Sequence, residues 1–152
     1  MAIEYKGEET LYVVEIDISE DPLTPSVSII RPFNQTGGST NIAADAIELS
    51  TKDKSGSDYG NVTQEVSLEG IITEGDPFVK AIKRAIRNKE LVKIYEVNTR
   101  TNEAEHGMYM ISAFDRDFAH GEFATYSLTG TLNGDVTEEE LEPIPEGAPG
   151  TF

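Results

Sequence analysis

Cysteine is absent from all 152 residues, and tryptophan with it. A disulfide framework, a thiolate metal site and a cysteine nucleophile are therefore excluded. Basic residues are scarce: 12 Lys and Arg stand against 28 Asp and Glu, a formal net charge of −16. Such a chain does not bind nucleic acid by neutralising phosphates, which takes clustered basic side chains. No apolar run approaches the ~20 residues that cross a bilayer, so no membrane partner is expected. The opening Met1-Ala2-Ile3-Glu4-Tyr5-Lys6 lacks the basic and apolar regions of a signal peptide, which points to synthesis and folding in a cytoplasm. With 38% hydrophobic residues the chain suffices for one domain with a modest core.

What the chain does hold is one convincing helix, residues 76–89, among strands and turns. Asp76 can cap its first turn, and Pro77 follows where a missing N–H costs nothing. Phe78, Val79, Ile82, Ala85 and Ile86 fall on one side at helical spacing. Lys80, Lys83, Arg84, Arg87 and Lys89 take the rest, so five of the twelve basic residues ride one element. An amphipathic helix of ~15 residues is marginal alone in water, so its stripe needs a sheet to lie on.

The rest of the chain supplies that sheet. Residues 1–10 read as a polar arm, 11–18 as a first strand and 27–31 as a second, with prolines between and after. Residues 34–60 open on Asn34-Gln35-Thr36-Gly37-Gly38-Ser39-Thr40 and close on Lys52-Asp53-Lys54-Ser55-Gly56-Ser57-Asp58-Tyr59-Gly60. A long irregular loop is expected there, and its small apolar centre, with Ile42, Ile47 and Leu49, argues that it orders against another chain. From Val62 to Ile72 the alternation is clean: Val62, Gln64, Val66, Leu68, Gly70 and Ile72 on one face, Thr63, Glu65, Ser67 and Glu69 on the other. Residues 91–97 form a further strand and 98–107 a charged connection. A hairpin follows, 108–117 and 122–133, with Ala124, Tyr126, Leu128, Gly130 and Leu132 facing one way and Phe123, Thr125, Ser127, Thr129 and Thr131 the other. Residues 136–152, acidic and rich in proline and glycine, read as a flexible or docking tail.

No stretch makes an enzyme. Asp115, Asp117, His120 and Glu122 have metal-ligand chemistry, but turn formation accounts for them all. His106 reads as a solvated surface residue. Asp53-Lys54-Ser55-Gly56-Ser57-Asp58 lacks the glycine spacing and closing glutamate of a calcium loop. Gly37-Gly38-Ser39-Thr40 lacks the lysine and strand-to-helix setting of a phosphate cradle. No cofactor is implied. One polar sheet face, bearing Ser, Thr and Glu, lies opposite an apolar one; it is either solvated surface or the lining of a water-filled channel.

Taken in order, these parts resemble the major tail protein, or tail tube protein, of long-tailed bacteriophages. The resemblance spans residues 25–135 and rests on the strand ending Glu69-Gly70-Ile71-Ile72, the helix after it, and Tyr126-Ser127-Leu128-Thr129-Gly130-Thr131-Leu132-Asn133-Gly134. It implies a mainly β fold with one α-helix, sandwich- or barrel-like, with a long inter-strand loop, over residues 1–135. It implies hexameric rings stacked into a virion tail tube through which the genome leaves, DNA passing without specific binding, and tape measure, terminator and baseplate proteins as partners. The family's long loop touches the next ring, which here makes Gly37, Gly38, Ile42, Ile47, Leu49 and Tyr59 the candidates. Its sheet lines the lumen, which corresponds to Glu65, Glu69, Ser127, Thr129 and Thr131, with Asp115 and Asp117 open to a one-residue slip. Lys83, Arg84 and Arg87 are candidates for contact with an adjacent subunit. The inner tubes of contractile tails, headless particles and type VI secretion share the fold. A different class, a monomeric acidic β-barrel holding a ligand, remains open, and self-association discriminates the two.

Overall fold

Strand alternation sets the core. In the computed structural model, which describes residues 3–19, 23–24, 26–145 and 147, a short 3-10 turn at Gly7–Glu9 leads into β1 (Thr10–Asp17). β2 (Val27–Ile30), β3 (Gln35–Ser50), β4 (Ser55–Ile71), α1 (Phe78–Arg87), β5 (Val92–Asn98), β6 (Glu103–Asp117), β7 (Thr125–Leu132) and β8 (Thr137–Glu140) follow. All pairings are antiparallel, in the order β2-β1-β5-β6-β7-β4-β3, and β8 lies beside the start of β6. Tyr12, Val14, Ile94, Ile111, Leu128, Val66 and Leu68 share one face and bury it under Phe78, Ala81, Ile82 and Ala85 of α1. The fold is mainly β with one helix, and the helix stripe fills the curl of the sheet.

The curl nearly closes into a barrel, and side chains make the seam. Toward β2, the first half of β1 has no strand partner. Gln35 at the start of β3 takes that place: Tyr12 N–H donates to Gln35 Oε1 at 3.0 Å and Gln35 Nε2 donates to Tyr12 O at 2.7 Å. One side-chain amide thus satisfies a donor and an acceptor as a neighbouring strand would. Tyr12 OH lies 2.8 Å from Thr40 Oγ1, which donates to Glu96 Oε1 at 2.6 Å. The close approach requires Gly38, where a Cβ would stand 2.4 Å from the Tyr12 ring.

Several sequence expectations are corrected. Residues 34–60 are no irregular loop: β3 and β4 pair all the way to Ser50↔Ser55, and the turn is only Thr51–Lys54, closed by Thr51 N–H to Lys54 O at 2.9 Å. Gly, Ala, Asn and Asp hide a ladder whose stability comes from backbone pairing. The helix is shorter than 76–89, but Asp76 still holds its start, accepting from Phe78 N at 3.0 Å and Phe33 N at 3.1 Å. Lys89, at φ 59, ends it. The charged connection shrinks to 99–102, and His106 lies in β6, its imidazole 3.0 Å from Glu139 and its ring 4.7 Å from that of Tyr95.

The C-terminal stretch, read as a tail, belongs in part to the fold. β8 pairs Glu103–His106, and Leu141, 9% exposed, joins Leu11, Val13, Tyr95, Val97 and Ala104 in a second core on the other sheet face, with Ile144 packed on it. Residues 146 and 148–152 of that stretch, like 1–2 of the N-terminal arm, lie outside the described residues. Leu141→Ala is expected to lower unfolding stability by about 2–4 kcal/mol, as for other buried leucines. A urea midpoint equal to the parent's would show that the segment does not contribute.

Candidate functional site

The sheet presents one broad polar face, and register shows how it is built. On β4 and β7, Glu65 lies opposite Thr131, Ser67 opposite Thr129, and Glu69 opposite Ser127. β3 extends the three rows with Asn41, Ser39 and Gly37. β6 extends them with Met110, Ala113 and Asp115, and a fourth row pairs Asp117 with Thr125. The five polar residues singled out from sequence therefore form one continuous patch, Glu65 and Glu69 exposed and the three hydroxyl residues half-buried. A register shift between Ile111 and Ala113 settles the slip and puts Asp115 and Asp117 on this face, with Arg116 turned to the other. These rows carry four carboxylates and no lysine or arginine.

Beyond the barrel, β3 and β4 continue as a two-stranded arm. Its apolar side chains are left in solvent: Ile42 is 64% exposed, Ile47 61%, Tyr59 79% and Val62 61%, with Leu49 at 47%. Ile42, Ala44 and Ala46 share a face with Val62 and Tyr59, across a bulge between Ala44 and Ala46. That face prolongs the core face past Gln64, a buried amide that donates to Tyr109 OH at 2.7 Å and closes the core with a polar stop. Gly37 and Gly38 belong to the arm's base at the seam. Val62, not singled out in sequence, belongs with the arm residues; its place in the alternation was the available signal.

Arg84, expected to face a neighbour, is occupied within its own chain. Its guanidinium donates to Asp17 O at 2.7 Å and to Ser19 O, tying the helix to the end of β1. Asp17 is held below the usual carboxylate range by the N–H groups of Ser26 and Ser19, with Arg84 adding to the effect. Lys83 is half-buried and Arg87 exposed. His120 sits exposed in the β6–β7 turn.

At the end of the barrel from which the arm leaves, Glu96, Glu105 and Glu138 stand directly opposite one another across β5, β6 and β8, and Glu103 stands opposite Glu140. Sequence reasoning saw only an acidic run; pairing across distant strands makes the rim. Burial, a hydrogen bond with Glu96, and the charges of Glu96 and Glu138 all push the Glu105 carboxyl up. A raised carboxylate stabilises the fold fully below its ordinary value of 4.5, and that contribution is lost as pH rises through the folded value. Glu105→Gln mimics the protonated form. The parent should lose stability relative to this variant as pH rises from about 4 toward neutrality, read as denaturant midpoints; parallel profiles would contradict it.

A family model described as phage tail tube protein matches residues 4–138. The chain belongs to the phage tail tube protein family. It is a structural tail tube protein, and its mainly β fold with one helix is the fold of solved tails. The tail of an empty gene transfer agent particle, refined with C6 symmetry, superposes at TM-score 0.72 with 13% identity, covering 88% of this chain and 98% of that one. The SPP1 tail tube gives TM-score 0.66 at 21% identity, covering 91% and 80%. A sheath-tube complex of an extracellular contractile injection system gives 0.58 at 14% identity, covering 86% and 89%. Comparison with curated protein sequences gives no match.

Proposed function

We propose that six copies form a ring, that rings stack into the tail tube of a virion, and that the polar sheet face lines the lumen through which DNA passes. The observation that carries this reading is a four-stranded wall whose polar face has acidic rows and no lysine or arginine, with an unpaired strand edge on each side. β3 has no strand partner on its outer side, and beyond the seam that Gln35 and Thr40 make with Tyr12 this edge is open. On β6, β5 pairs only as far as Tyr109, so the stretch toward Asp117 is open on that side. Exposed strand edges invite pairing, and joining one copy's β3 to the next copy's β6 is a head-to-tail contact that closes a ring. DNA would slide along such a wall without specific binding, because no cation is placed to hold a phosphate.

The role is structural rather than enzymatic. The subunit is made in the host cytoplasm and meets tape measure, terminator and baseplate proteins as the tail is built. A monomeric ligand carrier fits less well, since Phe78, Ile82, Tyr126 and Leu128 fill the centre of the curl. Negative-stain micrographs of the concentrated protein should show rings or tubes. A protein that stays monomeric at high concentration would overturn this reading.

A further inference from the structure

Two kinds of contact hold β8 to the barrel. Its C-terminal side is anchored by apolar burial and neutral hydrogen bonds. Leu141 sits in the second core and its N–H donates to Asn102 O at 2.9 Å, while Asn102 Nδ2 donates to Glu142 Oε1 at 2.7 Å. The strand itself is tied by groups that titrate, and this holds on both of its faces. On one face Glu138 stands opposite Glu105, Glu105 opposite Glu96, and Glu140 opposite Glu103. Tyr12 and Tyr109 also face this stack, and Thr40 Oγ1 donates to Glu96 Oε1 at 2.6 Å. The carboxyls line an open cleft of about 570 Å³ with Thr10 and Asn98, and among the described residues no lysine or arginine lines it. Glu105 is hydrogen-bonded to Glu96, and two carboxyl groups share such a bond only when one of them holds a proton. Glu96 already accepts from Thr40, which makes Glu105 the group that holds it. On the other face of β8, His106 Nε2 lies 3.0 Å from Glu139 Oε1, its ring against Tyr95. Lys93, over the Tyr95 ring, is paired with Glu15 at 3.2 Å. An imidazole forms an ion pair with a carboxylate only when protonated.

We propose that β8 is a strap latched by protons: as pH rises from about 5 to about 8, Thr137–Glu140 lifts from β6 while the rest of the barrel stays folded. The two faces act with the same sign. On the first, burial and the neighbouring carboxylates push Glu105 up, so its contribution is lost as pH rises through the folded value. Glu96, Glu105 and Glu138 are then like charges in one row across adjacent strands, which opposes pairing. On the second face the attraction between His106 and Glu139 fades as the imidazole loses its proton. β8 gives way first because its hold is slight. It pairs with β6 at four positions, and all four of its residues are exposed. The β5–β6 ladder carries Val92, Ile94, Tyr95 and Val97, all buried, and runs on to Tyr109. Lifting the strap unpairs one edge of Glu103–His106 and bares Ala104, which stands opposite Glu139.

Hydrogen exchange of the full chain, read by mass spectrometry, follows the strap directly. Protection of peptides spanning 134–142, corrected for intrinsic rates, should fall about tenfold between about pH 5 and pH 8. Protection of β7 should stay constant over the same span. At the alkaline end, about 1 M salt should restore part of the loss, since screening weakens repulsion between exposed charges. Glu105→Gln, Glu138→Gln and His106→Gln together should flatten the profile. Protection that does not change with pH would overturn the proposal. A fall shared by β7 would overturn it too, because the whole barrel would then be opening. A fall that survives the triple replacement would place the sensor in other groups, with the same consequence. Should the triple variant not fold, the salt response of the parent decides, and no recovery counts against the latch.

Discussion

Replacing residues 43–63 with a two-residue Asn-Gly turn yields a folded subunit that no longer grows into tubes. The cut keeps the Ile42↔Gln64 pair, and Asn-Gly suits the tight turn that then joins β3 to β4. No member of either core lies in the deleted stretch. Gln35, Thr40 and the seam they make with Tyr12 also survive. Shortening a connection changes closure entropy little, so unfolding stability should shift by no more than about 1 kcal/mol. Assembly is another matter. Ile47, Tyr59 and Val62 are each more than 60% exposed in the subunit. Burying two of them in a contact is worth about 3–6 kcal/mol, a factor of at least about a hundred in association. Sedimentation and negative stain read the outcome directly. Loss of cooperative unfolding would make the arm part of the fold, and long tubes from the shortened protein would make it dispensable.

How much of this was legible depends on where period-two alternation meets a buried core. In β4 from Gln64 onward, and in β7, burial alternates with exposure, so the polar residues of each strand could be read from sequence, whereas the pairing that sets Glu65 and Glu69 opposite hydroxyl residues of β7 joins distant strands and could not. The same β4 was misread before Val62, because there the ladder leaves the core and burial no longer selects apolar residues; Gly56, Ser57, Asp58 and Gly60 look like a turn. β8 was hidden for a different reason. Thr137-Glu138-Glu139-Glu140 has the composition of a solvated tail, and two of its glutamates face glutamates on β6, an arrangement that opposes pairing locally. Leu141 and Ile144 anchor it, and two apolar residues among prolines are too few to register as a pattern. The bonds of Arg84 to the Asp17 and Ser19 carbonyls were not legible, because helical spacing shows which face a side chain occupies but not which carbonyls lie within its reach.

Glu65→Lys with Glu69→Lys should leave rings and tubes intact and stall passage of DNA. Both side chains are exposed, and among the described residues no hydrogen bond or ion pair to the core depends on them, so folding has little reason to change. The polar face they stand on also carries Asp115 and Asp117 and no lysine or arginine, Arg116 of β6 being turned to the other face. Two substitutions move each subunit by four charges and put a lysine where each glutamate was; six copies bring about twelve lysines to every ring of the proposed tube. Duplex DNA presents one negative charge per ~1.7 Å, and each neutralised phosphate releases counterions, so contacts accumulate along the tube instead of remaining local. At about 0.15 M salt the Debye length is roughly 8 Å, short enough that only the lining acts on the duplex, and repetition puts that lining on all sides. An ejection assay on assembled particles should show release slowed at least about tenfold at this ionic strength, and partly restored in higher salt as counterion release weakens. Glu65→Gln with Glu69→Gln, which removes charge without adding cations, should eject nearly as the parent does. Normal ejection by the lysine variant would make the wall charge incidental. Failure to form rings would instead put Glu65 and Glu69 at a subunit boundary.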